Sequence, residues 1–184
     1  MRGYFGIGVE GVSKAMNLGS LFRSAHAFGA GFVFTIAAAY DRSEGTHADT
    51  SDATRNMPYY DFPDLTAFRL PKDCALVAVE LINDAIELPS FRHPHAAAYV
   101  LGAERASVSP ALLELCDHAI KIPTRFCVNL GVAGAIVMYD RLLSMGRFAE
   151  RPIVAGGPLQ AVAPHLHGAP LWQRKRRRRQ TSGA

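Results

Sequence analysis

A chain of 184 residues, 49% of them apolar, has the length of one domain and enough apolar side chain for a core, which excludes a largely disordered protein. No run approaches the ~18 apolar residues of a membrane span, and the opening MRGYFGIGVEGV lacks the apolar stretch and small-residue cleavage site of a secretion signal, so a cytoplasmic protein without membrane contact is expected. The net charge of +4 is local: Arg174 to Arg179 reads RKRRRR, and without those six charges the rest carries 4 − 6 = −2.

In chain order, Tyr4 to Glu10 (YFGIGVE) reads as a strand. A loop over 11–16 leads to a helix from Asn17 to Phe28, with Asn17 as its N-cap and Leu18, Leu21, Phe22, Ala25 and Phe28 at helical spacing. Gly29 and Gly31 stop that helix, and Phe32 to Ala38 is a buried strand. Residues 40–56 are polar and form a loop with room for a helical turn near Ser51 to Arg55. Leu65 to Leu70 is a short element. Cys74 to Leu81 (CALVAVEL) and Ala96 to Glu104 (AAAYVLGAE) are strongly apolar strands, joined through Ile86 to Phe91 and a surface loop at His93-Pro94-His95. Pro110 to Cys116 makes one or two helical turns, His118 to Pro123 a short strand, and Asn129 to Met145 a long helix. Beyond Arg147 the composition turns to Pro, Gly and Ala and ends in the basic block. Such a block repels itself and suits a polyanion, nucleic acid first. The expected organisation is one domain over 1–148 and an extension with a basic arm over 149–184.

Apolar strands alternating with helices predict an α/β domain, a mostly parallel sheet with helices on both faces. Ligands of such sheets sit beyond the carboxyl ends of the strands. That rule selects Glu80 and Leu81, Gly102 to Arg105, and Ile122 to Asn129. Three polar clusters fall there or at the first helix. NLGSLFR joins Asn17 and Arg23 on one helical entry, where an arginine can grip a phosphate by two parallel bonds. LGAERASVS places Gly102 and Glu104 at a strand end, and a carboxylate there needs a partner such as Arg23. The stretch Ile122 to Leu142 holds Cys127, Asn129 and the small residues Gly131, Ala133, Gly134 and Ala135. Each glycine inside a helix costs about 1 kcal/mol against alanine, so something must approach the backbone closely. There is no GxGxxG, no phosphate-binding P-loop and no GxSxG elbow, and the seven histidines show no metal-ligand spacing. The three cysteines, Cys74, Cys116 and Cys127, read as free thiols of a reducing compartment.

In this order the clusters resemble the SpoU (TrmH-type) branch of the SPOUT RNA methyltransferases. Asn17 and Arg23 match the first motif, N-x-x-x-x-x-R. Leu101, Gly102 and Glu104 match a strand ending in L-G-x-E. Ile122 and Pro123 match I-P-M, and CVNLGVA aligns with S-L-N-V-S-V-A through Asn129, Val132 and Ala133. The similarity covers residues 4 to 145. Thr124 stands where Met is usual, Cys127 and Gly131 where serines are common, and Ser107 where the second motif has Gly. The resemblance implies an α/β knot, in which the C-terminal part threads through a loop as a deep trefoil. It implies S-adenosylmethionine as cofactor, with the adenosine against Val79, Glu80, Leu81, Gly102, Ile122 and Val128, and with Leu101, Pro123, Leu130 and Ala133 completing the pocket. It implies methyl transfer to a ribose 2′-hydroxyl of transfer or ribosomal RNA, carried by Arg23, with Asn17 orienting it, Glu104 holding it and Asn129 shaping the helix mouth. It implies a homodimer, with Ile136, Val137, Tyr139 and Leu142 of the last helix in the contact. The departures motivate one alternative, an RNA-binding protein of the same fold without catalysis. No metal is expected.

Overall fold

The computed structural model describes residues 3–39, 57–103 and 106–157. The chain divides after Gly146 into two units. Residues 147–157 of the second carry no regular secondary structure.

The first unit is built on seven strands among the described residues: β1 (Tyr4–Glu10), β2 (Phe32–Ile36), β3 (Tyr59–Phe62), β4 (Ala75–Val79), β5 (Ile86–Glu87), β6 (Ala96–Leu101) and β7 (His118–Lys121). They form one sheet in the order β3-β2-β1-β6-β4-β7-β5, and every neighbouring pair is parallel. Among the described residues three α-helices accompany it, α1 (Ala15–Phe28), α2 (Pro110–Leu113) and α3 (Leu130–Met145), with a 3-10 turn at Leu88–Ser90. The pleat sends alternate residues to opposite faces. Ile7, Val9, Val77, Val79, Tyr99 and Ile120 enter a core shared with Leu21 of α1 and Val137 of α3. Phe34, Leu76, Ala78, Ala98 and Val100 enter a second core with Phe68 and Leu112. Burial on both faces is why these strands read as continuous apolar runs. On the second face β1 carries Gly6 and Gly8. A Cβ on either would lie within 2.5 Å of the Phe32 or Phe34 ring, so the two aromatics lie over the strand itself.

The structure revises four expectations. α1 starts at Ala15 after Lys14, so Asn17 lies inside the first turn and is not the N-cap. Burial sets that start, because Ala15 and Leu18 both enter the core, and the Asn17 side chain is engaged elsewhere. β2 stops at Ile36 because Ala37 takes φ 50°. β3 was not foreseen: four residues with an aspartate, between Pro58 and Pro63, carry little apolar signal. It is held by β2, whose fully buried Thr35 donates to Asp61 Oδ1 at 2.7 Å. The hydroxyl has one proton to give, so Tyr59, 2.8 Å away, donates to Thr35.

The fourth revision concerns His93, expected on a surface loop and 6% exposed. Its Nδ1 meets the Tyr99 hydroxyl at 2.5 Å and its Nε2 meets Asp140 Oδ2 at 2.9 Å. Arg141, 2% exposed, donates to Tyr99 Oη at 3.1 Å, to the Pro94 carbonyl at 2.7 Å and to the His95 carbonyl at 3.0 Å. The guanidinium can only donate and the carboxylate only accepts, so the polarity is fixed. Arg141 gives to Tyr99, Tyr99 to His93 Nδ1, and neutral His93 gives its Nε2 proton to Asp140. Burial lowers the His93 pKa from 6.5, with the Asp140 hydrogen bond opposing it. Burial also pushes the Tyr99 phenol up to about 12, against the pull of Arg141. This network ties the last turns of α3 to the segment before β6.

Candidate active site

The register aligns Val9, Leu101 and Val79 across β1, β6 and β4, and Val79 with Ile120 of β7. The carboxyl ends of these strands therefore open on one edge. A cavity of about 370 Å³ lies there. Val79, Glu80 and Leu81 line it from the end of β4, Leu101 and Gly102 from β6, Ile122 from the exit of β7, and Val128, Leu130 and Ala133 from the entry to α3. Of the pocket residues expected from sequence, only Pro123 is absent from the wall; it is exposed. Among the described residues, Ala103, Ala106, Ser107, Thr124 and Cys127 complete the lining. Ala103, Thr124 and Cys127 fall in the strand-end segments that the sequence selects; Ala106 and Ser107 lie beyond them, because a loop side chain's direction has no periodicity to read. Thr124 shapes its own loop, its hydroxyl donating to the Phe126 carbonyl at 2.9 Å.

Asn129 caps α3. Its Oδ1 accepts the Gly131 N–H at 2.9 Å, which turns Nδ2 outward to donate to Asn17 Oδ1 at 3.1 Å. The structure thus brings together two of the expected catalytic residues, 112 positions apart. Arg23 lies six residues beyond Asn17 on the exposed side of α1. At about 100° per residue the two side chains leave the helix some 120° apart and about 9 Å apart along its axis, so Arg23 faces a different side of α1 from Asn17. Glu104, and with it the expected Arg23–Glu104 pair, lies outside the described residues.

The small residues of α3 have two different reasons. Ala133 faces the cavity. Gly131 and Gly134 face α1: a Cβ on Gly131 would lie 2.8 Å from Ser20 Oγ, and one on Gly134 2.1 Å from Leu21 Cδ1. The close approach inferred from these glycines is therefore made by another helix. Gly131 is also not a hydroxyl missing from the pocket, whereas Cys127 stands on its wall. Gly102 has an analogous explanation, since a Cβ there would meet the Ala106 carbonyl oxygen at 2.6 Å. No cluster of three or more potential metal ligands occurs among the described residues, and no helix among them is long and apolar enough to cross a membrane.

The sequence profile of the SpoU rRNA Methylase family matches residues 5–139, the span that holds all of the sheet but its first residue, α1 and most of α3. The chain belongs to this family. Among curated SpoU relatives, a 23S rRNA (guanosine-2'-O-)-methyltransferase of Nitrosomonas europaea is 29% identical over 165 residues, 85% of this chain and 60% of that protein. A tRNA (guanosine(18)-2'-O)-methyltransferase of Thermus thermophilus is 32% identical over 141 residues, 72% of this chain and 71% of that one. The chain thus spans less than two thirds of the Nitrosomonas enzyme. The SpoU methyltransferase AviRb of Streptomyces viridochromogenes, solved with its cofactor AdoMet, superposes with a TM-score of 0.65 at 21% identity, over 76% of this chain and 60% of that one. The parallel sheet with its helices is thus the SpoU fold.

Proposed function

We propose that this chain is an S-adenosylmethionine-dependent RNA methyltransferase acting on a ribose 2′-hydroxyl of transfer or ribosomal RNA. The observation that carries the reading is the Asn17–Asn129 hydrogen bond beside the cavity, since Asn129 stands between the cavity-lining Val128 and Leu130. The names of the Nitrosomonas and Thermus relatives, both guanosine 2′-O-methyltransferases, support it.

The cavity fits the cofactor. Its volume lies within the roughly 300–1,000 Å³ of small-molecule sites. Val79, Leu101, Ile122, Val128 and Leu130 offer apolar walls for an adenosine, and the exposed backbone of strand ends offers hydrogen bonds for its edges. When bound, S-adenosylmethionine supplies a methyl group already activated by its sulfonium.

The chain's own residues then align and relieve the hydroxyl. Asn129, fixed at Oδ1 by its cap, presents its amide at the helix mouth, and Asn17 completes the pair. Arg23 carries a guanidinium that stays protonated, so it serves by gripping an RNA phosphate next to the ribose; the hydroxyl proton would pass to solvent as the methyl is transferred and the thioether of the spent cofactor leaves. Glu104 is assigned to hold Arg23. Orientation of this kind supplies most of what such a transfer needs.

The same reading includes the trefoil threading of the C-terminal part of the domain, a cytoplasmic location and a homodimer. The exposed stripe Val132, Ile136 and Tyr139 on α3 is the proposed subunit contact. Val137, expected in that contact, is fully buried in the core instead. The extension over 149–184 is proposed as an RNA-binding arm added to a catalytic domain over 1–148.

The test is incorporation of tritium from methyl-labelled S-adenosylmethionine into total RNA of a strain lacking the gene, followed by alkaline hydrolysis, which a 2′-O-methyl group blocks. Alkali-stable label is expected for the wild type and none for Arg23→Ala, with cofactor binding by that variant within about twofold of wild type. Near-normal turnover by Arg23→Ala would overturn its assignment. Cofactor and RNA binding without transfer by the wild type would instead favour the non-catalytic RNA-binding reading, to which Cys127 on the cavity wall gives its motive.

A further inference from the structure

Glu10 was not singled out by sequence, yet it holds the loop that walls the cavity. Gly102, Ala103, Ala106 and Ser107 of that loop line the cavity. The Val108 nitrogen comes within 2.7 Å of where a Gly102 Cβ would lie. The far end of the loop is gripped by two carboxylates. The register that aligns Val9, Leu101 and Val79 places the next residues, Glu10 and Glu80, on either side of Gly102. Glu80 Oε2 accepts the Val108 N–H at 2.9 Å, and its Oε1 accepts the Leu81 N–H at 2.9 Å. Glu10 Oε2 accepts the Ser109 N–H at 2.7 Å, and its Oε1 accepts the Ser109 hydroxyl at 2.6 Å. Ser109 Oγ in turn accepts the Leu112 N–H at 3.2 Å as the N-cap of α2. Two consecutive backbone N–H groups are thus held by carboxylates from the strands on either side of β6, and these short charge-assisted bonds are the strong kind.

Glu80 stands on the cavity wall; Glu10 does not. We infer that Glu10 is a positioning residue for the cofactor: with Glu80 it clamps the 106–109 segment in place beside the cavity and so sets the affinity for S-adenosylmethionine without touching it. The inference rests on the proposed cofactor reading. Its physical basis is population. A site whose wall is in place only part of the time binds with a Kd raised by the inverse of that fraction, so losing the clamp moves the cost of ordering the 106–109 segment into the binding step. Glu10→Gln keeps the size of the side chain but replaces one acceptor oxygen with a donor, which cannot receive the second of the two protons Ser109 offers.

The experiment is calorimetric titration of the full-length wild type, Glu10→Gln and Ser109→Ala with S-adenosylmethionine and with S-adenosylhomocysteine, which lacks the sulfonium charge. The ligand-free melting temperature of each is measured alongside. The expected result is a Kd raised about tenfold for both ligands in Glu10→Gln and by less in Ser109→Ala, which keeps the backbone bond. A rise for S-adenosylmethionine alone would overturn the clamp in favour of simple charge attraction. So would Kd values within about twofold of wild type for both ligands, even with a lowered melting temperature, since that is what a purely structural role gives. Ser109→Ala carries the test by itself should Glu10→Gln fail to fold. A wild type that binds neither ligand would instead overturn the proposed function.

Discussion

Gly134 is where the contact between α1 and α3 can be tested by a change of sign. Replacing it with alanine should gain about 1 kcal/mol of helix propensity. Against this, the added methyl would start 2.1 Å from Leu21 Cδ1, and Leu21 is fully buried in the core. Overpacking of this kind costs about 1–3 kcal/mol, so Gly134→Ala is expected to destabilise by about 1 kcal/mol net. Leu21→Ala alone should cost about 2–5 kcal/mol through the cavity it leaves. In that background the clash is gone. Gly134→Ala should then stabilise, by about 1 kcal/mol of propensity and a further ~0.8 kcal/mol from the buried methyl. The predicted coupling between the two sites is about 2–3 kcal/mol. Urea unfolding followed by circular dichroism, at one protein concentration for all four proteins, measures it. If Gly134→Ala stabilised both backgrounds equally, the glycine would not be there for Leu21, and the helix contact would not explain the small residues of α3.

Two further outcomes follow from single hydrogen-bonded groups. Asn129→Asp keeps the oxygen that caps Gly131 and adds a charge favourable at a helix N-terminus, but it loses the proton given to Asn17. Its unfolding midpoint should stay near wild type while Asn129→Ala loses about 1 kcal/mol, and both should fall in methyl transfer. Loss of transfer only in Asn129→Ala would remove the Asn17 bond from the mechanism. Because burial holds the folded-state pKa of His93 below 6.5, the unfolded chain takes up the proton first as pH falls. Stability contributed by neutral His93 is present above pH 6.5 and declines below it, by at most about 1.4 kcal/mol per pH unit for one proton. Urea midpoints between pH 5 and pH 8 should show that slope in the wild type and a shallower one in His93→Gln. An unchanged slope would assign the pH dependence to other groups.

The cavity was legible from sequence because its makers are strand ends, and apolar runs such as Ala75 to Val79 and Ala96 to Leu101 announce where they stop. What failed were inferences from single polar residues. Asn17 has the chemistry of a cap, and Asn129 performs that role at the other helix. The two are equivalent in sequence and differ in what the core buries next to them. His93 sits between a proline and an arginine, which gives every local sign of a surface loop. Its burial depends on Tyr99, Asp140 and Arg141, the last two more than forty residues away. Glu10 escaped for the same reason: its partner Ser109 is 99 positions distant. Local pattern finds groups that ends of elements bring to the surface, and it misses polar groups that satisfy one another through the fold.

That distinction explains how α3 can serve the site at one end only. Its first turn holds Asn129 and the cavity residues Leu130 and Ala133. Its middle lies against α1 through Gly134. Its last turns are locked by Asp140 and Arg141 to His93, Tyr99 and the carbonyls of Pro94 and His95. An α-helix rises about 1.5 Å per residue, so the eleven residues from Asn129 to Asp140 put that lock some 16 Å from the cap. A rod fixed at its far end and gripped in the middle has little freedom left at its tip. The Asn17–Asn129 pair is then held by packing as well as by its exposed hydrogen bond, which alone would be worth only about 1 kcal/mol. Disruption of the far lock should therefore be felt at the asparagine pair, although no side chain of the lock comes near the cavity.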